Sequence, residues 1–171
     1  MSQPYRIGFS TTNHLVSRII RKLTGSIVSH TWVLYYDEDF KCDCVIEFTK
    51  GGCRLSTFDH FKQRNLIVKI WTPQCSVQKG FVGLRNFLEA GYDYIGLFGM
   101  LFVLFARWLK KKIRNPFASS KKLFCSECVV RLLQNAEYPR SDTLDPETVT
   151  PDDLYHFAIR EEAMQELLTS Q

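Results

Sequence analysis

SHTWVLYYDEDFKCDCVIEF, residues 29–48, is the stretch on which the fold turns. Its first eight residues are rich in aromatic and β-branched side chains and read as a strand. DEDF, 37–40, reads as a turn, and CDCVIEF, 42–48, as the strand that returns. If Asp37 pairs with Phe40, counting back along both strands puts His30 opposite Glu47. Directly opposed residues of an antiparallel pair point to the same face, with Cβ atoms about 4.5–5.5 Å apart. A slip of one residue would send Glu47 to the other face.

On the N-terminal side, YRIGFS (5–10) reads as a short strand. In the helix that follows, Leu15, Ile19, Ile20 and Leu23 fall at helical spacing, with Asn13 or Thr12 as N-cap and Gly25 ending it. On the C-terminal side, Lys50, Gly51 and Gly52 form a turn, and CRLSTFDHF and NLIVKIWT read as further strands, so the middle of the chain is expected to be an antiparallel meander. Helices follow: an amphipathic one over 77–91, an apolar one from Ile95 to Ala106, and one from about Cys125 to Asn135. TPDDLYHF begins another, with Thr150 as N-cap and Pro151 at the first helical position, and a helical, exposed tail starts near 159. With no repeat and no linker, residues 1–171 read as a single α+β domain: a small antiparallel sheet of about five strands, packed with helices.

The composition narrows the class. At 171 residues, with 45% hydrophobic and 23% charged residues, the chain can bury a core of its own. A net charge of +4 is too small to imply nucleic acid, and none is expected as a partner. The first residues lack a basic region followed by an apolar one, so a cytoplasmic, reducing setting is expected for the six cysteines. The apolar run 95–106 is too short to span a bilayer but leads into RWLKKKIR (107–114), so 95–114 is either a buried helix or a contact with an anionic membrane surface.

Chemistry centres on KKLFCSECVVRLLQ, 121–134. Cys125 and Cys128 match C-x-x-C, which admits a redox pair, but that motif belongs in a βαβ unit, and none surrounds it here. A zinc site would need Cys42, Cys44 or Cys53 as further ligands, at irregular spacings; neither metal nor cofactor is expected. Cys128 shares the apolar side of its helix with Val129, Leu132 and Leu133 and reads as core. Cys125 differs because it falls in the first turn, where free N–H groups and the dipole favour a thiolate. A helix terminus contributes ~0.3–1 kcal/mol, up to about 2 when partly buried. At about 1.4 kcal/mol per pKa unit, that moves a thiol by about one unit. A thiolate at neutral pH needs more, and a neighbouring imidazolium would supply it. Of the four histidines, His14 and His60 read as solvated and His156 has no evident partner. His30 opens a hydrophobic strand with Glu47 across from it, so a carboxylate could hold one ring nitrogen and leave the other for a thiol.

The order of histidine, carboxylate on the next strand and late cysteine on a helix resembles the circularly permuted NlpC-type papain-like hydrolases, the group of the YiiX and YaeF proteins. More distantly it resembles the lecithin:retinol acyltransferase-like enzymes. The resemblance is carried by SRIIRKLTGSIVSHTWVLY, VIEFTKGGC, YDYIGLFG, FCSECV and VTPDDLYH, in that order, across residues 6 to 156. It implies a permuted papain-like fold with Cys125 as nucleophile, His30 as general base and Glu47 orienting it. The Cys125 N–H would meet the oxyanion, beside a second donor that the sequence does not identify. It further implies Ser29, Ser126 and Tyr94 near the substrate, although Tyr94 could equally be core. The expected activity is hydrolysis of an amide in a short peptide or N-acyl amino acid. A lipid-directed thioesterase, lipase or acyltransferase, an inactive binding module and a thiol redox protein stand as alternatives.

Overall fold

The computed structural model describes residues 5–49, 52–85 and 124–170. Strand β1 (Arg6–Thr11) leads into helix α1 (Leu15–Thr24), and strands β2 (His30–Asp37), β3 (Cys42–Thr49) and β4 (Gly52–Thr57) follow. A short helix α2 (Phe58–Lys62) precedes β5 (Leu66–Trp71). A 3₁₀ turn (Gln78–Gly80) continues into α3 (Phe81–Leu84); α4 (Cys125–Asn135), a second 3₁₀ turn (Ser141–Thr143) and α5 (Pro151–Thr169) complete the described elements. The fold is α+β, around a five-stranded sheet in the order β4-β3-β2-β1-β5 with every neighbouring pair antiparallel.

That order corrects the expected meander. β2, β3 and β4 do run as one, but β5 crosses over to pair with β1. The reason lies in FDHF, read above as strand. Thr57 Oγ1 accepts from His60 N and caps α2, which lifts the chain off the sheet and puts His60 on a helix. β5 then covers the edge of β1, which is buried from Ile7 to Thr11 and would otherwise lie open.

The hairpin loop is also two residues longer than the turn residues suggested. Asp37 pairs with Cys42, so Glu38 to Lys41 form the loop. Asp37 Oδ1 accepts from the N–H groups of Asp39 and Phe40, and Lys41 takes the left-handed φ of 52° that closes it.

The sheet has two apolar faces. On one, Ile7, Phe9, Val33 and Phe48 pack with Val129, Leu132 and Leu133 of α4 and Leu154 and Phe157 of α5. On the other, Trp32, Leu34 and Val45 pack with Phe61 of α2. Trp32 lies across Gly8, where any Cβ would sit 2.2 Å from the indole, and its Nε1 donates to Ser10 Oγ at 3.1 Å. Only glycine lets β1 pass beneath that ring.

The N-cap of α1 is His14, without a side-chain cap bond, rather than Asn13 or Thr12. Thr12 Oγ1 instead accepts from His14 N and pairs with Ser17 Oγ at 2.7 Å. Gly25 ends α1 in the left-handed region, as expected. α5 opens with a capping box between Thr150 and Asp153 and runs unbroken into what the sequence suggested was a separate tail. Arg140 clamps it, gripping buried Glu161 through two hydrogen bonds of 2.8 and 2.6 Å. Among the described residues no helix is long and apolar enough to cross a membrane. The apolar and basic run 95–114, the end of the helix expected over 77–91 (86–91), and Tyr94 lie outside the described residues.

Candidate active site

Cys125 is the first residue of α4. The N-cap residue, Phe124, is extended and offers no capping oxygen, so the first N–H groups of α4 have no side-chain cap. The rest of that turn is held firmly. Ser126 Oγ donates to the Val149 carbonyl at 2.9 Å, and Glu127 takes two hydrogen bonds from Arg131 one turn later. The Ser126 bond ties the start of α4 to the segment before α5, and the Arg131 bonds brace the first turn from within the helix.

His30 opens β2 at the end of the sheet where α4 begins. Its Nε2 lies 2.9 Å from Glu47 Oε2. The sequence put these residues face to face; the structure sets Trp32, and not His30, opposite Glu47. The longer loop moves the register by two residues, and an even shift keeps both side chains on one face. The pair is therefore diagonal, and the length of the glutamate closes the gap.

With Nε2 engaged by Glu47, Nδ1 is the ring nitrogen left for Cys125, which lines the same cavity and lies close enough for each group to shift the other's charge. Burial drives the His30 pKa down, but the Cys125 sulfur and then the Glu47 carboxylate outweigh it and hold the ring up to about 10. Burial likewise drives the Cys125 thiol up. The His30 charge, with the N–H and hydroxyl of Thr31, overcomes that and leaves Cys125 below an ordinary thiol. Cys128, one turn on in the apolar core, is pushed well above it by burial.

Thr31 is the residue that sequence reasoning missed. It is 1% exposed, and its Oγ1 has no aligned hydrogen-bond partner among the described residues. It nevertheless lies close enough to the Cys125 sulfur to stabilise a thiolate. Alternation on β2 turns Thr31 away from the His30 face, toward the face that α4 packs on. Nothing in the residue type marks it; its position beside His30 was the one available signal.

A cavity of about 500 Å³ holds Cys125, His30 and Glu47 together. Ser29 lines it, as expected, with its hydroxyl 3.0 Å from Thr11 Oγ1. Ser126 does not line it. Its side chain is fully buried and committed to Val149, so its role is to hold α4 rather than a substrate. Val16, Ile20, Phe48 and Phe124 give the cavity an apolar side, and Arg54 and Arg64 a cationic one. Sequence reasoning singled out neither arginine.

No family model matches the chain, and no curated protein matches it. The site therefore has to be read on its own geometry. That geometry does not gather the cysteines needed for zinc: Cys42 and Cys44, with sulfurs 3.9 Å apart, sit at the end of β3 away from Glu47. Among the described residues no group of three metal-ligating side chains comes together.

Proposed function

We propose that the protein is a cysteine hydrolase that cleaves an amide through an acyl-enzyme. One observation carries this reading: a thiol at a helix N-terminus shares a cavity with an imidazole, one nitrogen of which is 2.9 Å from a buried carboxylate. In the proposed reaction the Cys125 thiolate attacks the carbonyl carbon, forming an S–C bond as the carbonyl π pair moves onto oxygen. The Cys125 N–H at the uncapped start of α4 meets that oxyanion. On collapse the C–N bond breaks, and the His30 imidazolium gives its proton to the departing amine. Neutral His30 then takes a proton from water as the water oxygen attacks the thioester. The S–C bond breaks, and thiolate and imidazolium are restored beside a free acid.

The strand and helix order of the site, with histidine, carboxylate and then cysteine, supports a permuted papain-like architecture of the NlpC type. The apolar side of the cavity favours one variant of the reading: a fatty acyl group on Cys125, passed to water or to another acceptor, as in a thioesterase, lipase or acyltransferase. The redox reading gains no comparable support, because Cys128 is packed in the core and the sheet around the motif is antiparallel. The test is mass spectrometry of Cys125 after incubation with a mixed library of acyl amides and esters. An acyl adduct on Cys125 that decays in water is expected. An unmodified Cys125 across the library, in protein shown to be folded, would overturn the proposal.

A further inference from the structure

The cationic side of the cavity has no counterpart in the chemistry described so far. Glu47 is the sole carboxylate among the described residues lining the cavity, and its Oε2 is taken by His30. Arg64 comes no nearer to it than 4.0 Å, from Oε1. Arg54 lies opposite Glu47 across β3 and β4 and has no ion-pair partner among the described residues. A second hollow of about 360 Å³ adjoins the first, sharing Thr12, Arg64 and Asn65 and adding Arg21 and Lys62. No carboxylate lines it among the described residues. Lys62 is paired with Asp59 at 2.8 Å, but Arg21 has no such partner among the described residues, and its Nε is buried without an acceptor among them.

Three guanidinium groups thus surround two joined hollows: Arg64 shares Glu47 with His30 at 4.0 Å, and Arg54 and Arg21 have no carboxylate partner among the described residues. A buried guanidinium N–H without an acceptor is unfavourable, and its planar fork matches a carboxylate or phosphate. Resting on the proposed acyl chemistry at Cys125, we infer that the substrate is an amphiphile. Its apolar acyl group lies against Val16, Ile20, Phe48 and Phe124, and an anionic group, carboxylate or phosphate, is held by Arg54, Arg64 and Arg21. The scissile carbonyl then sits between the two, at Cys125. The arginines select the substrate and take no part in bond breaking.

Binding tests this separately from catalysis. In the full chain carrying Cys125→Ser, calorimetry compares N-octanoylglycine with N-octanoylglycinamide, and octyl phosphate with octanol. At least one anion is expected to bind roughly tenfold or more tightly than its neutral partner, with the preference falling as salt is raised. The pair with the larger preference tells a carboxylate-bearing substrate from a phosphate-bearing one. Arg64→Gln and Arg21→Gln should each lower the preference roughly three- to tenfold. Arg64→Lys should keep part of it, and Lys41→Gln, in the β2–β3 loop, should leave it unchanged. Equal affinity for charged and neutral partners, or a preference that survives both Gln variants, would overturn the inference. Neither result depends on whether Cys125 forms an acyl adduct, which is the separate test of the proposed hydrolase.

Discussion

Replacing Glu47 by Gln keeps its size and removes its charge, which isolates what the carboxylate does to His30. The residue is 4% exposed, and its Oε2 is 2.9 Å from Nε2. A hydrogen bond to a charged group contributes about 1.5–3 kcal/mol, and a neutral one about 0.5–1.5. The substitution therefore withdraws about 1–1.5 kcal/mol from the imidazolium, which is about one pKa unit. His30, held at about 10 in the native protein, should fall to about 9. The assay is the pH dependence of kcat/KM for an N-acyl anilide, whose poor leaving group needs the imidazolium proton. The wild-type rate should decline on the alkaline side near 10, and the Glu47→Gln rate about one unit earlier. The acid limb should move up in the variant, because a less populated imidazolium stabilises the thiolate less. Superimposable profiles for the two proteins would refute the claim that Glu47 acts through His30.

Thr31→Val replaces a buried hydroxyl without an aligned partner by a methyl group of similar shape. If that hydroxyl supports the thiolate, the acid limb should rise by about one unit while thermal stability holds or improves. A variant unchanged in both would remove Thr31 from the site. Stability should also follow pH in a defined way. His30, raised in the folded state, contributes stability that is complete below about 6.5 and lost as pH climbs through about 10. Cys125, lowered in the folded state, contributes stability present above the unfolded thiol pKa and lost as pH falls through its folded value. From the folded Cys125 value up to about 8.5 the two slopes oppose each other, so the melting temperature should change less there than at higher pH, where it should fall through about 10. His30→Ala should lack that alkaline fall; a fall of equal size in the variant would assign it to other groups.

The parts of the fold legible in the sequence are those fixed by local chemistry. Cys125 to Asn135 and the Thr150–Pro151 start are helical because spacing and capping say so within a few residues. Gly25 ends α1 because a left-handed residue is needed there. What escaped was set at longer range. FDHF has the aromatic content of a strand, yet Thr57 caps it into a helix, and that turn sends β5 across the sheet to β1. The hairpin register was misjudged by two residues because Asp37 closes the loop with its side chain while still pairing in the strand. Pairing His30 with Glu47 survived that error because face, unlike exact opposition, is conserved under an even shift. Thr31, Arg54 and Arg64 were not legible, since only the packed sheet and α2 bring the arginines to the cavity and Thr31 to the Cys125 sulfur. Ser126 was misplaced for the opposite reason. It is next to the nucleophile in sequence, but the helix turns its hydroxyl to Val149.

The measurement that bears most directly on the site is the rate of Cys125 alkylation by iodoacetamide against pH, in wild type and in His30→Ala. The labelled residue is read by mass spectrometry, and exposed Cys75 serves as a labelling reference in the same molecule. A thiolate kept charged by His30 predicts rapid wild-type labelling well below the ~8.5 of a free thiol. In the variant, where burial acts on Cys125 without the imidazolium and only the Thr31 N–H and hydroxyl oppose it, the profile should move to higher pH. Identical profiles for Cys125 in the two proteins would contradict the thiolate–imidazolium pair.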